Sequence, residues 1–169
     1  MHLNVKLGFL FLVFTVLLGC SIRDGKDDGK ENLVKKVDFD SVLSKKLGAD
    51  EYGMKQYVMA FLKAGPNRTQ DSIGAAKIQK MHLENINRMA EEGKLVLAGP
   101  FLDDGEIRGI YLFNVRTLEE ARRLTATDPA VKAGRLVMEL HPWYGSAALL
   151  EINNIHKRIE KRIVLFSIY

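Results

Sequence analysis

The chain of 169 residues has a single cysteine, so no intramolecular disulfide can form and no zinc site can be built from thiolates alone. It has no dense basic run. The net charge of +4 is spread along the chain, which suits solubility and gives no nucleic-acid surface. It has no glycine-rich nucleotide loop, because Gly99-Pro100 lacks the strand–loop–helix context such a loop needs. No serine sits in a nucleophile elbow. The N-terminal apolar run Leu7–Leu18 is shorter than the roughly 20 residues of a membrane span. Covalent catalysis by serine or thiol and nucleic-acid binding thus find no support, and no cofactor is expected. Histidines and carboxylates are what remain for chemistry.

What the N-terminus does contain is an address. Lys6 supplies a short basic start, Leu7–Leu18 is almost unbroken apolar sequence, and small Gly19 precedes Cys20. This is the layout of an export signal. Leu17-Leu18-Gly19-Cys20 resembles the bacterial lipobox, which implies cleavage before Cys20, acylation of its thiol and attachment to a membrane of the cell envelope. Several acyl chains together make a stable anchor. Residues 1–19 are then a lipoprotein signal peptide and 20–54 a tether. The polar stretch from Ser21 to Asn32 cannot bury enough apolar surface to fold alone. Leu33–Leu47 has partly helical apolar spacing and is expected to form a short helix or to belong to the tether.

The folded domain is expected over 55–145. Gln56–Lys63 is a short run of strand formers. Ser72–Glu92 has helical composition, with Ile78, His82, Ile86 and Met89 on one face and Gly93 as the stop. Leu95–Ala98 and Ile107–Val115 read as two strands, joined by a loop holding Gly99, Pro100, Asp103, Asp104 and Gly105. Thr117 to Glu120 is a capping-box start of a second helix. Asp128-Pro129 reads as a further cap, and Arg135–Leu140 as the last strand.

The order predicts an α+β fold, a ferredoxin-like βαββαβ antiparallel sheet with its helices on one face. An amphipathic helix is expected from Ser146 to Lys161, with Leu149, Ile152, Ile155 and Ile159 on one side and a short tail to Tyr169. Both sides of the first and third strands are apolar, where a sheet with one wet face should alternate. A second copy of the chain, giving a homodimer, is the simplest cover for so large a patch, and the chain's own extensions are the rival.

Met81-His82-Leu83, Gly93-Lys94-Leu95, Leu97 to Pro100, Asp103-Asp104-Gly105, Gly109-Ile110, Leu118 to Ala121, Asp128-Pro129 and His141-Pro142-Trp143 occur in this order. Together they resemble the YCII-related family, over about Lys55 to Trp143. The resemblance implies a ferredoxin-like fold of the dimeric α/β-barrel kind, a pocket in each subunit, and a histidine–aspartate pair as catalytic centre. The histidine maps to His82. The aspartate maps to Asp103 or Asp104, and the sequence leaves both open.

His82 lies on the apolar stripe, so its imidazole points inward and needs a hydrogen-bond partner. A carboxylate partner would set the tautomer and leave the other nitrogen free to move a proton near neutral pH. The resemblance implies the activity of a small-molecule lyase or isomerase, which such a pair could serve, the alternative being a non-catalytic binding module for a small ligand or a protein. Asp103 and Asp104 also suit ordinary turn chemistry, and Asp128 a helix cap. Asp128, His141 and Trp143 are expected to line the ligand cavity. His82, His141 and an aspartate could be drawn as a metal triad, but their spacing gives no sign of convergence, and no metal is expected.

Overall fold

The computed structural model describes residues 38–161. The expected signal segment, Cys20 with its expected acylation, the first part of the expected tether and the tail from 162 onward lie outside the described residues.

The elements follow in the order α1 (Ser41–Leu47), β1 (Met54–Ala64), α2 (Ser72–Glu91), β2 (Leu95–Pro100), β3 (Ile107–Phe113), α3 (Leu118–Thr125), α4 (Pro129–Lys132), β4 (Leu136–Ser146), a 3₁₀ turn (Ala147–Glu151) and α5 (Ile152–Ile159). The four strands form one antiparallel sheet in the order β2-β3-β1-β4, with β1 and β3 central. This is the ferredoxin-like arrangement expected from the sequence.

Alternation along the strands sorts the two faces. Val58, Ala60 and Leu62 of β1 and Tyr111 and Phe113 of β3 turn toward the helices, and they form the main core with Met89 of α2 and Ala121 of α3. Burying these side chains is the main favourable term for the domain, at about 1.5–3 kcal/mol for each large one. α2 starts at Asp71, whose carboxylate accepts from the Gly74 N–H at 2.7 Å, and it stops where Gly93 takes φ of 68°. Thr117 caps α3 by accepting from the Glu120 N–H. The Glu120 carboxylate leaves the capping box and pairs instead with Lys94 at 3.0 Å, tying α3 to the start of β2.

One expectation needs correction. β4 does not end at Leu140 but runs on through His141-Pro142-Trp143 to Ser146, paired with β1 as far as Met54. Pro142 is tolerated because β4 is an edge strand, where no neighbour needs an N–H from its outer side. The longer strand consumes the start of the expected helix. The chain then makes the 3₁₀ turn, capped by Ser146, before α5 begins at Ile152. Leu149 and Leu150 pack inward, whereas Ile155 and Ile159 are exposed, so the expected apolar stripe does not stay on one buried side.

On the other face of the sheet, the chain's own extension, the rival to a second copy, supplies part of the cover. Tyr57, Val96 and Leu112 form a second cluster there, and Leu149, Leu150 and Trp143 of the same chain pack against it. Asn153 holds the segment in place by donating to the Leu95 carbonyl at 2.9 Å. The chain's own C-terminal segment therefore covers part of the face assigned to a second copy. Among the described residues, no helix is long and apolar enough to cross a membrane.

Candidate active site

His82 stands on the inward face of α2 and is buried. Its Nδ1 lies 2.9 and 2.8 Å from the two carboxylate oxygens of Asp128, which is itself fully buried. A carboxylate can only accept, so Nδ1 carries a proton, and in the neutral imidazole Nε2 is the acceptor. The Tyr111 hydroxyl lies 3.3 Å from His82 Nε2 and 3.4 Å from Asp128 Oδ2, and can donate to either. Burial raises the Tyr111 phenol above its usual range, and the charge of Asp128 raises it further. Tyr111 is therefore a neutral hydroxyl, able to donate but not to act as a phenolate.

Asp128 serves two roles at once. It caps α4, accepting from the Ala130 N–H at 2.8 Å through Oδ1, and it orients the histidine. The turn before it is held by a small polar network. Asn85 Oδ1 accepts from Thr127 Oγ1 at 3.1 Å and from Arg88 at 2.7 Å, and Arg88 also donates to Thr127. One turn of α2 thus fixes the backbone that carries Asp128 at the level of His82.

His82 and Tyr111 line a cavity of about 300 Å³ between α2 and the sheet. Its walls are largely apolar, from Leu62, Leu83, Ile86, Pro100 and Leu136. Gln79 and Arg108 are the other polar side chains at its border. Arg108 donates one N–H to the Gly105 carbonyl and has further donors to offer. An apolar cavity of this size with a few convergent polar groups is the usual form of a small-molecule site. Gly109 makes the β2–β3 floor beside it compact, since a Cβ there would lie 2.6 Å from the Gly99 carbonyl oxygen.

The structure brings His82 together with Asp128, and not with Asp103 or Asp104. Both of the latter are exposed, and neither bonds to the histidine. Asp103 spends its carboxylate on the Gly105 N–H at 3.0 Å, the turn bond that its Asp-Asp-Gly context allows. His141 and Trp143 do not line this cavity either. Register pairs His141 with Met59, which places it on the opposite face of the sheet, where it contacts Glu139 at 2.8 Å and the Phe61 ring. Trp143 packs on Tyr57 with ring centroids 5.9 Å apart.

Asn85 and Tyr111 were not legible as site residues. A signal did exist for Tyr111, because strand alternation buries it with Phe113 and a buried phenol needs a partner. Among the described residues, no three His, Cys, Asp or Glu side chains are grouped closely enough to hold a metal ion.

A family model, the YCII-related domain, matches residues 57–144, just over half of the chain. The chain belongs to the YCII-related family. Among solved structures it is similar to the 5-chloro-2-hydroxyhydroquinone dehydrochlorinase of Burkholderia phenoliruptrix AC1100 in complex with 2,5-dihydroxybenzoquinone. The identity is 18%, the match covers 53% of this chain and 93% of that one, and the TM-score is 0.39. No curated protein matches the chain in sequence. The YCII-related match spans α2 with His82, β3 with Tyr111 and the Asp128 cap, so the whole constellation lies inside the family domain.

Proposed function

We propose that the domain is a small-molecule lyase or isomerase in which His82 and Asp128 perform acid–base chemistry. The observation that carries this reading is the buried imidazole fixed through Nδ1 by a carboxylate while its ring borders a small-molecule cavity. Nε2 takes a proton from an acidic C–H of the substrate, and Asp128 supports the imidazolium that results. In an elimination, the C–H electron pair becomes the new double bond and the leaving group departs with its own pair. In an isomerisation, the imidazolium returns the proton to a different carbon. Tyr111 donates a hydrogen bond to oxyanion character that develops beside it.

The test is proton exchange. A panel of small carbonyl acids incubated in D2O with the protein should contain compounds that gain deuterium, followed by mass spectrometry. His82→Ala should slow that exchange about 10²–10⁴-fold. Exchange equal in wild type and His82→Ala would remove the histidine from the reaction. Ligands that raise the melting temperature without any exchange would instead assign the cavity to a binding module.

The Leu7–Leu18 run and the Leu-Leu-Gly-Cys ending support anchoring of the protein to the cell envelope through acylated Cys20. Labelled palmitate should enter the wild type and not Cys20→Ser. Phe61, Ile110 and half-exposed Val137 remain outside the cover given by Leu149 and Leu150, which supports a homodimer formed on that part of the sheet.

A further inference from the structure

A second cleft, of about 490 Å³, opens at the end of the sheet where β1 begins and β4 ends. Lys55, Arg116, Trp143, Tyr144 and Asp50 border it. Its charge arrangement is unusual. Lys55 of β1 and Arg116, just past the end of β3, both border the cleft, near enough for the Arg116 charge to act on Lys55. A like charge close by disfavours the charged form of each. Burial pulls the Lys55 ammonium below its usual range, and Arg116 pulls it further. Lys55 reaches only the Leu47 carbonyl, at 3.4 Å, and Arg116 forms no hydrogen bond or ion pair among the described residues.

The one carboxylate in the cleft does not relieve them. Asp50 accepts from the backbone N–H groups of Met54 and Tyr52 and from the Tyr144 hydroxyl. These bonds, Tyr144 first, hold its carboxyl below the usual range, which shows where its acceptor capacity goes. Beside the two cations stands an aromatic wall. The Trp143 ring lies across the backbone of Gly145, where a Cβ would meet the ring at 2.1 Å, so that ring position depends on glycine at 145.

We propose that this cleft is a second ligand site, taking a small aromatic molecule that bears a phosphate or carboxylate. The anion would sit between Lys55 and Arg116, and the ring would lie against Trp143. Its lining shares no residue with the cavity beside His82, so it stands independently of the acid–base reading.

Trp143 is the only tryptophan in the chain, and its emission reports on this cleft directly. Phenyl phosphate titrated into the full chain should change that emission saturably. Phenol and inorganic phosphate should each bind at least about tenfold more weakly, since each lacks one of the two recognised groups. Arg116→Gln should weaken phenyl phosphate about tenfold, and Lys55→Gln similarly, with circular dichroism confirming that both variants fold. Arg116 is exposed and unpartnered, so its variant keeps the test readable if Lys55→Gln is unstable. A linear, non-saturating change, or unaltered affinity in Arg116→Gln, overturns the proposal. Equal affinity for inorganic phosphate overturns the aromatic part of it.

Discussion

At the scale of single residues, Asp128 carries more than one duty, and substitutions there can separate them. Asp128→Ala removes the cap of α4 and leaves a buried imidazole N–H without an acceptor. The expected loss is about 2–4 kcal/mol of stability, read as the urea midpoint. Asp128→Asn keeps an oxygen for the Ala130 N–H but sets an amide NH2 where Oδ2 faced Nδ1, so it disfavours the Nδ1–H tautomer and cannot support an imidazolium. It should cost under about 1.5 kcal/mol while lowering turnover roughly a hundredfold or more. Matching losses of fold and turnover in both variants would reduce Asp128 to a structural cap.

Tyr111 makes a prediction in pH. Its phenol is raised in the folded state, so the unfolded chain ionises first, near the ordinary value of about 10. Below that pH the residue makes no pH-dependent demand. Above it the folded state holds a proton that the unfolded state has lost, so stability falls as pH rises. Tyr57 is raised by burial as well and acts in the same direction. The urea midpoint of the wild type should therefore drop more steeply between pH 9 and 11 than that of Tyr111→Phe, which retains the contributions of the other raised groups, Tyr57 and Tyr144 among them. Parallel slopes would contradict this account.

At the scale of elements, the site depends on how α2 meets the turn between α3 and α4. Asn85 sits one helical turn beyond His82 and fastens Thr127, the residue before Asp128. Asn85→Ala should cost about 1–2 kcal/mol from the lost buried bonds. It should also lower turnover by more than that stability change explains, because Asp128 is no longer held in register with the imidazole. Comparing kcat/KM with the melting temperature across Asn85→Ala and Asn85→Asp checks this; turnover that merely tracks the folded fraction counts against it.

The sheet itself was legible from alternation and turn residues, and α2 from the spacing of Ile78, His82, Ile86 and Met89. The C-terminal segment was not. Composition after Gly145 suits a helix, but pairing with β1 draws the chain into a strand as far as Ser146, and tertiary pairing overrides local preference there.

For the whole molecule, the informative feature is a sheet with two apolar faces and only partial cover on the second. The proposed dimer would have to bury on the order of 1,000 Å² or more to be stable. Sedimentation of the domain at micromolar concentration should give twice the monomer mass, and Val137→Lys, placed on the uncovered part of the face, should return it to monomer. A monomeric wild type would mean that the C-terminal segment is cover enough. Trp143, which borders the second cleft, packs on Tyr57 in the same cluster that Leu149 and Leu150 cover.

The sequence alone determined the order of elements, the caps at Thr117 and Asp128, the inward histidine and the family that those residues resemble. These follow from periodicity and short-range chemistry, which act within a few residues of one another. Tertiary structure alone decided the partner of His82. Asp103, Asp104 and Asp128 each occupy a good local context for a carboxylate, in a turn or at a cap, and nothing local ranks them. The choice falls to Asp128 because α2 and α4 pack side by side, bringing residues 46 positions apart to 2.8 Å. It likewise sent His141 and Trp143 to the far side of the sheet, since a strand residue's face is set by register against its neighbour and not by what the residue could bind.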